Sequence, residues 1–521
     1  SESPLVPGLI YAGTDDGIIQ VTEDGGQNWR RIDKLPGVPD RFFVNDIKAD
    51  LHDPDTVYVV VDDHKSGDFS PYVLKSTNRG KSWKSIAGNL PERHILWRIV
   101  QDHEQPGLLF LGTEFGVFFT VNSCGTWTKL KGNAPNIPFR DLVIQKREND
   151  LVGATFGRSF YILDDYTPLR SVTEDMLKNG TVLFPVRKTH WYVPKRPLGC
   201  SKEGCKGSQG DDYYVASNPP FGATFTYYLS EPLQSQKDAR REAEKEKEKN
   251  NENVEFPTWD RILGELREDD PAVVFTVKDG AGNVVRHIEA PAEAGFHRVA
   301  WDLRYPSVEA WVPEDQREEA WIPTAGVLVA PGSFSVSMQK RIDGVLTDLD
   351  QSQRFDVVSI REPVLPGSTQ EQRVVFDNQV NELARAAQGT VKTIDAIVAE
   401  LAAAKEVLLS STADPSLYEI ANSIQQRIQA ERDRLTNNDA RQLYNDFDEM
   451  TVTTRLFHAR FAPTTNAYGP TPSQRESLRI ARSLYDDVTR QLSNLVDVEY
   501  AGLKVALDAA GVPWSPGRGI Q

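Results

Sequence analysis

No apolar run in this sequence approaches the ~18 residues that cross a bilayer, so no membrane span is expected in it. Positive charge is in deficit. Lys and Arg number 59 against 75 Asp and Glu, a formal net charge of −16, which argues against nonspecific nucleic-acid binding. Neither HExxH nor GxSxG occurs, and no Ser-His-Asp arrangement supports a protease. Cysteine is scarce, at three. Cys200 and Cys205 flank SKEG in a Gly-rich loop, and a local disulfide between them, suited to an oxidising compartment, is the expected state. A two-thiolate metal site is an alternative, but no His or Cys stands close in sequence to complete it; free thiols are another. Cys124 sits in a turn. No metal and no cofactor are expected.

What the sequence has in quantity is short strands and turns. Residues 22–29 read TEDGGQNW, with Thr22, Asp24, Gly26 and Trp29 as the marked positions. The pattern returns at 76–83 as STNRGKSW (Ser76, Asn78, Gly80, Trp83). It returns more loosely at 120–127 as TVNSCGTW (Thr120, Asn122, Trp127, with Cys124 in the Gly place). A short Asp or Asn accepts backbone N–H bonds in a turn. Gly supplies a positive φ, and Trp buries a large apolar body beside the turn. These octets resemble the Asp-box (BNR) repeat of sialidases, of bacterial sialidase-like propellers and of the sortilin (VPS10) domain. The resemblance implies a structural turn on the face away from any ligand.

Around each octet the same order of short strands recurs. YAGTDDGIIQV (11–21), FLGTEFGVFFT (110–120) and VGATFGRSFYI (152–162) repeat a strand, a turn and a strand. Four short strands per unit is the blade of a β-propeller. Three octet-bearing units, the first without its initial strand, plus the inner strands of a fourth make about three and a half blades in residues 1–170. Propellers close with at least ~4 blades, so further blades are expected from a cleaved or separate chain, or from a second copy in a homo-oligomer.

Residues 171–216 read as an extended linker holding the Cys loop. Arg187, Lys188, His190, Trp191 and Tyr192 there invite a ligand, but a bridging strand is the simpler reading. Residues 217–362 alternate apolar and polar positions at Val273, Phe275, Val277, Val299, Trp301, Phe334, Val336 and Phe355. That pattern predicts an immunoglobulin- or fibronectin-like β-sandwich. A charged insertion, 232–258, is expected to be a solvated helix or disordered. Trp311 and Trp321 lie in an acidic, Pro-containing loop, where packing is the expectation and carbohydrate stacking the alternative. From 363 to 521 the period changes to that of helices. Stripes run through Phe376, Val380, Leu383, Ala387, Val391, Ile394, Val398 and Leu401, through Ile420, Ile424, Ile428 and Leu435, and through Leu478, Ala481, Leu484, Val488, Leu492 and Leu495. They predict an antiparallel helical bundle, the stripes being too short and too broken by Gly389 and loops for a long coiled coil.

Taken in order, the octets, GRSFYILDDYTPLR (157–170), LFPVR, NPPFGATFTYYL, DGAGNVVRHI, FHRVAWDLRYP, APGSFSVSM and LKVALDAAGVPW resemble the C-terminal half of a bacterial sortilin-like BNR-repeat protein, a family often labelled glycosyl hydrolase. That resemblance implies a large propeller, a sandwich, a helical C-terminal domain and export from the cytoplasm. The function expected is an extracytoplasmic binding or scaffold protein for a protein, peptide or glycan. Asp15, Asp16, Glu114, Phe115 and Arg158, with Asp62, are placed on the rim opposite the octets. The alternative is a sialidase-like glycoside hydrolase with Asp15, Glu114 and Arg158 as its candidates; it needs two carboxylates at a set separation.

Overall fold

The computed structural model describes residues 1–123, 125–194, 216–309, 326–362, 364, 366–444, 450–461 and 468–519. The cysteine pair, Cys124, Trp311 and Trp321 lie outside them. The chain divides into two compact units. It is β-rich in its first part and ends in a distinct helical bundle.

The first unit is centred on residues 1–184. It contains four antiparallel sheets whose strands follow sequence order. Sheet one holds Ile10–Gly13, Ile19–Thr22 and Arg30–Ile32. Sheet two holds Phe43–Ala49, Val57–Asp63, Asp68–Ser76 and Lys84–Ser85. Sheet three holds Leu96–Gln101, Leu109–Thr113, Gly116–Thr120 and Thr128–Lys129. Sheet four holds Phe139–Gln145, Asp150–Thr155 and Phe160–Leu163. Phe139–Gln145 adds a first strand to the fourth unit, where the sequence pattern predicts only the inner pair.

Successive sheets pack through apolar faces. Tyr11, Ile19 and Val21 of sheet one meet Val57, Val59, Val61 and Leu74 of sheet two. The other face of sheet two offers Tyr58, Val60 and Val73 to Leu96, Ile99, Leu109 and Leu111 of sheet three. Sheet three in turn sets Val100, Phe110, Val117 and Phe119 against Phe139, Leu142 and Leu151 of sheet four. Strands buried on both faces read as continuous apolar runs, and residues 57–61 of the wholly buried Val57–Asp63 strand are the clearest. A clamp ends the unit's repeats. Arg170 donates from Nε and Nη2 to Asp102, both at 2.8 Å, and the Tyr166 hydroxyl donates to the same carboxylate at 2.6 Å.

The second unit holds a five-stranded sheet in the order Thr189–Trp191, Val345–Ser359, Gly332–Ile342, Ala272–Asp279, Val284–Ala290. Its first pair is parallel. Trp191 is therefore a strand residue, buried, with its indole N–H donating to the Val329 carbonyl at 2.7 Å. The charged insertion is helical over Gln236–Lys249, capped by Ser235. Arg240 ties it to Glu265 of the Trp259–Arg267 helix with a two-pronged bond at 2.6 and 2.7 Å.

The bundle opens with Gln370–Leu409, started by a capping box of Thr369 and Gln372. Gly389 does not break it, because forty residues of otherwise good helix formers outweigh about 1 kcal/mol of glycine cost. Ser416–Leu435 and Pro472–Ser493 pack with it through Leu383, Ala387, Leu401, Ile424, Ile428, Ala481 and Val488. Ile420, assigned to the buried stripe from its spacing, is exposed.

Candidate functional site

The three octets make one hydrogen-bond pattern. The Thr22 hydroxyl donates to Asp24 at 2.8 Å and accepts from the Gly26 amide at 2.9 Å. Ser76 repeats this with Asn78 and Gly80, at 2.9 and 2.8 Å. Thr120 donates to Asn122 at 2.9 Å. Asp24 is held down to about 2, chiefly by the Asn28 backbone N–H and then by the Asn28 and Thr22 side chains. These side chains are occupied in holding turns, which is fold chemistry.

The tryptophans differ. Trp127 is buried, and its indole N–H donates to Ile86 of the preceding sheet's last segment at 2.8 Å. Trp83 packs, like Ile32 at the end of sheet one's last strand, against the core between sheets one and two. Trp29, at the same place in the first octet, is 44% exposed, although the sequence pattern predicts it buried.

The opposite ends of the sheets carry the hairpins between second and third strands, and there the expected rim residues lie. Asp15 and Asp16 are exposed in the turn of sheet one. The Thr14 hydroxyl donates to Asp16. Asp62 is buried; it accepts from Asn45 at 2.6 Å and is paired with His64. Glu114 is half-buried and accepts the Trp97 indole N–H at 3.0 Å. Phe115 is exposed and its ring lies 5.2 Å from that of His94. Arg158 is exposed in the turn of sheet four.

A second set of residues at this end was not singled out from sequence. The first strands of sheets two, three and four each carry a bulge, at Asn45, Trp97 and Arg140. A bulge adds one residue, so it re-aims a side chain that the pleat would have sent elsewhere. All three fall at the same register. Asn45 donates to the Leu96 carbonyl at 2.8 Å. The Arg140 guanidinium lies 3.4 Å above the Trp97 ring and 5.4 Å from that of Phe156. The row continues from Trp97 to His64 at 5.9 Å and from His64 to Phe43 at 6.3 Å.

The residues after the bulges form an ionic ladder: Arg98 donates to Asp141 at 2.7 Å and to Asp46 at 3.3 Å. Burial pushes Asp46 up, against the pull of the Ile99 amide and Arg98. The signal was in the sequence. Val44 and Ile47, Leu96 and Ile99, and Phe139 and Leu142 are apolar pairs three apart, and only a bulge lets both members of such a pair face one side of a strand. Among the described residues no group of His, Cys, Asp and Glu could hold a metal ion, and no helix is long and apolar enough to cross a membrane.

No family model matches the chain, and no curated protein matches it. Among solved structures, 32% of the chain is similar to 54% of YCF48 from Cyanidioschyzon merolae, with 16% identity and a TM-score of 0.24. The GH74 xyloglucanase from Xanthomonas campestris is similar over 72% of this chain and 46% of its own, with 13% identity and a TM-score of 0.27. PorZ of Porphyromonas gingivalis, a bacterial surface component of the type-IX secretion system, is similar over 68% of this chain and 51% of its own, with 15% identity and a TM-score of 0.22. The chain thus spans about half of each of these proteins. At these TM-scores nothing about activity follows from the likeness.

Proposed function

We propose that residues 1–170 are about three and a half blades of an Asp-box β-propeller, and that the chain is an extracytoplasmic binding or scaffold protein that completes its ring with further blades. The sheet of the second unit is read as part of an immunoglobulin- or fibronectin-like module. One observation carries the reading. Val100, Phe110, Val117 and Phe119 of sheet three are buried by sheet four. By pairing register, their counterparts in sheet four include Val143, Phe160 and Ile162. Those are 55%, 70% and 58% exposed. An apolar sheet face of this kind marks an interface. Trp29 supports the same reading at the other flank.

No observation favours the glycoside hydrolase alternative over this one. The carboxylate of Glu114 is engaged by Trp97, and Asp15 stands on the turn of a sheet that is not the neighbour of sheet three. Hydrolysis of aryl glycosides, lost in Glu114→Gln, would revive it.

The assembly is tested by Ile162→Cys in a background with the native cysteines replaced by Ser. A membrane-impermeant maleimide is expected to label this position in the purified chain. In intact source cells the position should be protected, while Phe256→Cys, at an exposed site, labels in both. Equal labelling of position 162 in cells and in solution contradicts assembly. No labelling of position 256 in cells contradicts an extracytoplasmic location.

A further inference from the structure

Three cations stand at the hairpin end of the sheets, each seated on an aromatic ring. Lys65 Nζ lies 4.0 Å from the centroid of Phe43, Arg93 Cζ 5.4 Å from that of Phe69, and Arg140 Cζ 3.4 Å from that of Trp97. None of the three has a carboxylate partner among the described residues. Of the acids at this end, Asp62 is bonded by Asn45 and His64, Asp63 by Ser66, Asp68 by Tyr72 and Glu114 by Trp97, while Asp15 and Glu92 are exposed.

The chemistry of the ligand follows from what is left free. A guanidinium seated over an indole loses little further freedom on binding, and its N–H donors match a carboxylate. Trp97 is buried, with Arg140 over its face. Phe43 likewise has Lys65 over it. Lys65 and Arg140 cover the rings of Phe43 and Trp97, so at these two positions a ligand meets cationic donors rather than a ring face. The row Phe43, His64, Trp97, Arg140, Phe156 runs without a gap across sheets two to four. Exposed Phe115 and Phe156 add apolar contact.

We propose that this rim binds an extended acidic peptide segment, its Asp or Glu carboxylates taken by Lys65, Arg93 and Arg140 and its apolar side chains by Phe115 and Phe156. The proposal rests on the reading of the chain as a binding protein and gives that reading a ligand class.

The test is fluorescence anisotropy of the intact chain with a short fluorescein-labelled Glu-rich peptide carrying Leu at intervals. The same peptide with Lys for Glu, and labelled polygalacturonate, are run beside it. The Glu peptide is expected to bind saturably and the Lys peptide not. Arg140→Gln should weaken binding about tenfold, the order expected for one charge-assisted pair. Arg140→Lys should recover only part of it, because the fork is lost. The variant with Lys65, Arg93 and Arg140 all changed to Gln should abolish binding while its unfolding midpoint stays in place. Absent binding of the Glu peptide, equal binding of the Lys peptide, or a triple variant that binds as well as the parent overturns the proposal. Polygalacturonate bound through these cations without the peptide also overturns it, yet leaves the binding reading standing. If the rim binds neither, protection of position 162 in cells still decides assembly separately.

Discussion

Two carboxylates show how surroundings decide what a charge does. Asp102 has no exposure, and burial by itself would raise its pKa. The two N–H bonds from Arg170 and the hydroxyl of Tyr166 outweigh burial and leave it lowered. A carboxyl lowered on folding contributes stability that is complete above its unfolded value, about 3.9, and lost as pH falls through the folded value. Arg170→Gln strands a buried charge and should cost about 3–5 kcal/mol in urea unfolding at neutral pH. It should also remove the part of the acid sensitivity that Asp102 supplies; a loss under 1 kcal/mol would show the clamp to be incidental.

Asp377, in the long helix, is the opposite case. Burial raises it to about 6, against the pull of Arg373 and Arg460. Here stability should fall as pH rises from about 4 to about 6, because the folded state holds the proton that the unfolded state releases. Asp377→Asn should flatten that slope and raise stability at neutral pH by about 2 kcal/mol. Chemical unfolding across this pH range reads both effects, and an unchanged slope would contradict the assignment.

At the scale of elements, closeness of approach governs the sheets. A Cβ on Gly112 would fall 2.7 Å from the Phe139 carbonyl oxygen of the next sheet, and backbone cannot move aside as a side chain can. Gly112→Ala should cost about 1–3 kcal/mol, whereas Gly389→Ala, with nothing within 4 Å of the added atom, should gain up to about 1 kcal/mol. Paired thermal unfolding measurements check the two signs together.

Element type was legible where the pattern was strong. The octets announced their turns, and the stripe through Leu478, Ala481 and Val488 announced the Pro472–Ser493 helix. The bulges escaped notice because a strand was read at period two, and one inserted residue hides inside such a run. The parallel pairing of Thr189–Trp191 joins residues far apart in sequence, and no local signal encodes that. The rim was legible as a set of hairpin turns. Its cation-on-ring pairs were not, since Arg140 and Trp97 meet only when two sheets stack.

For the whole molecule, the repeat sets its own expectation. Sheets two and three each present one apolar face to the sheet before and one to the sheet after. Sheet four keeps the second face bare. Phe160 and Ile162 are the residues on which that statement turns. A double variant, Phe160→Glu with Ile162→Glu, measures it by thermal unfolding and sedimentation velocity on the purified chain. A bare face predicts an unfolding midpoint within about 2 °C of the parent, since exposed substitutions stay within about 0.5 kcal/mol. It also predicts that any concentration-dependent self-association of the parent disappears. A drop of many degrees would mean that the chain already covers this face, and the partial ring would be ruled out.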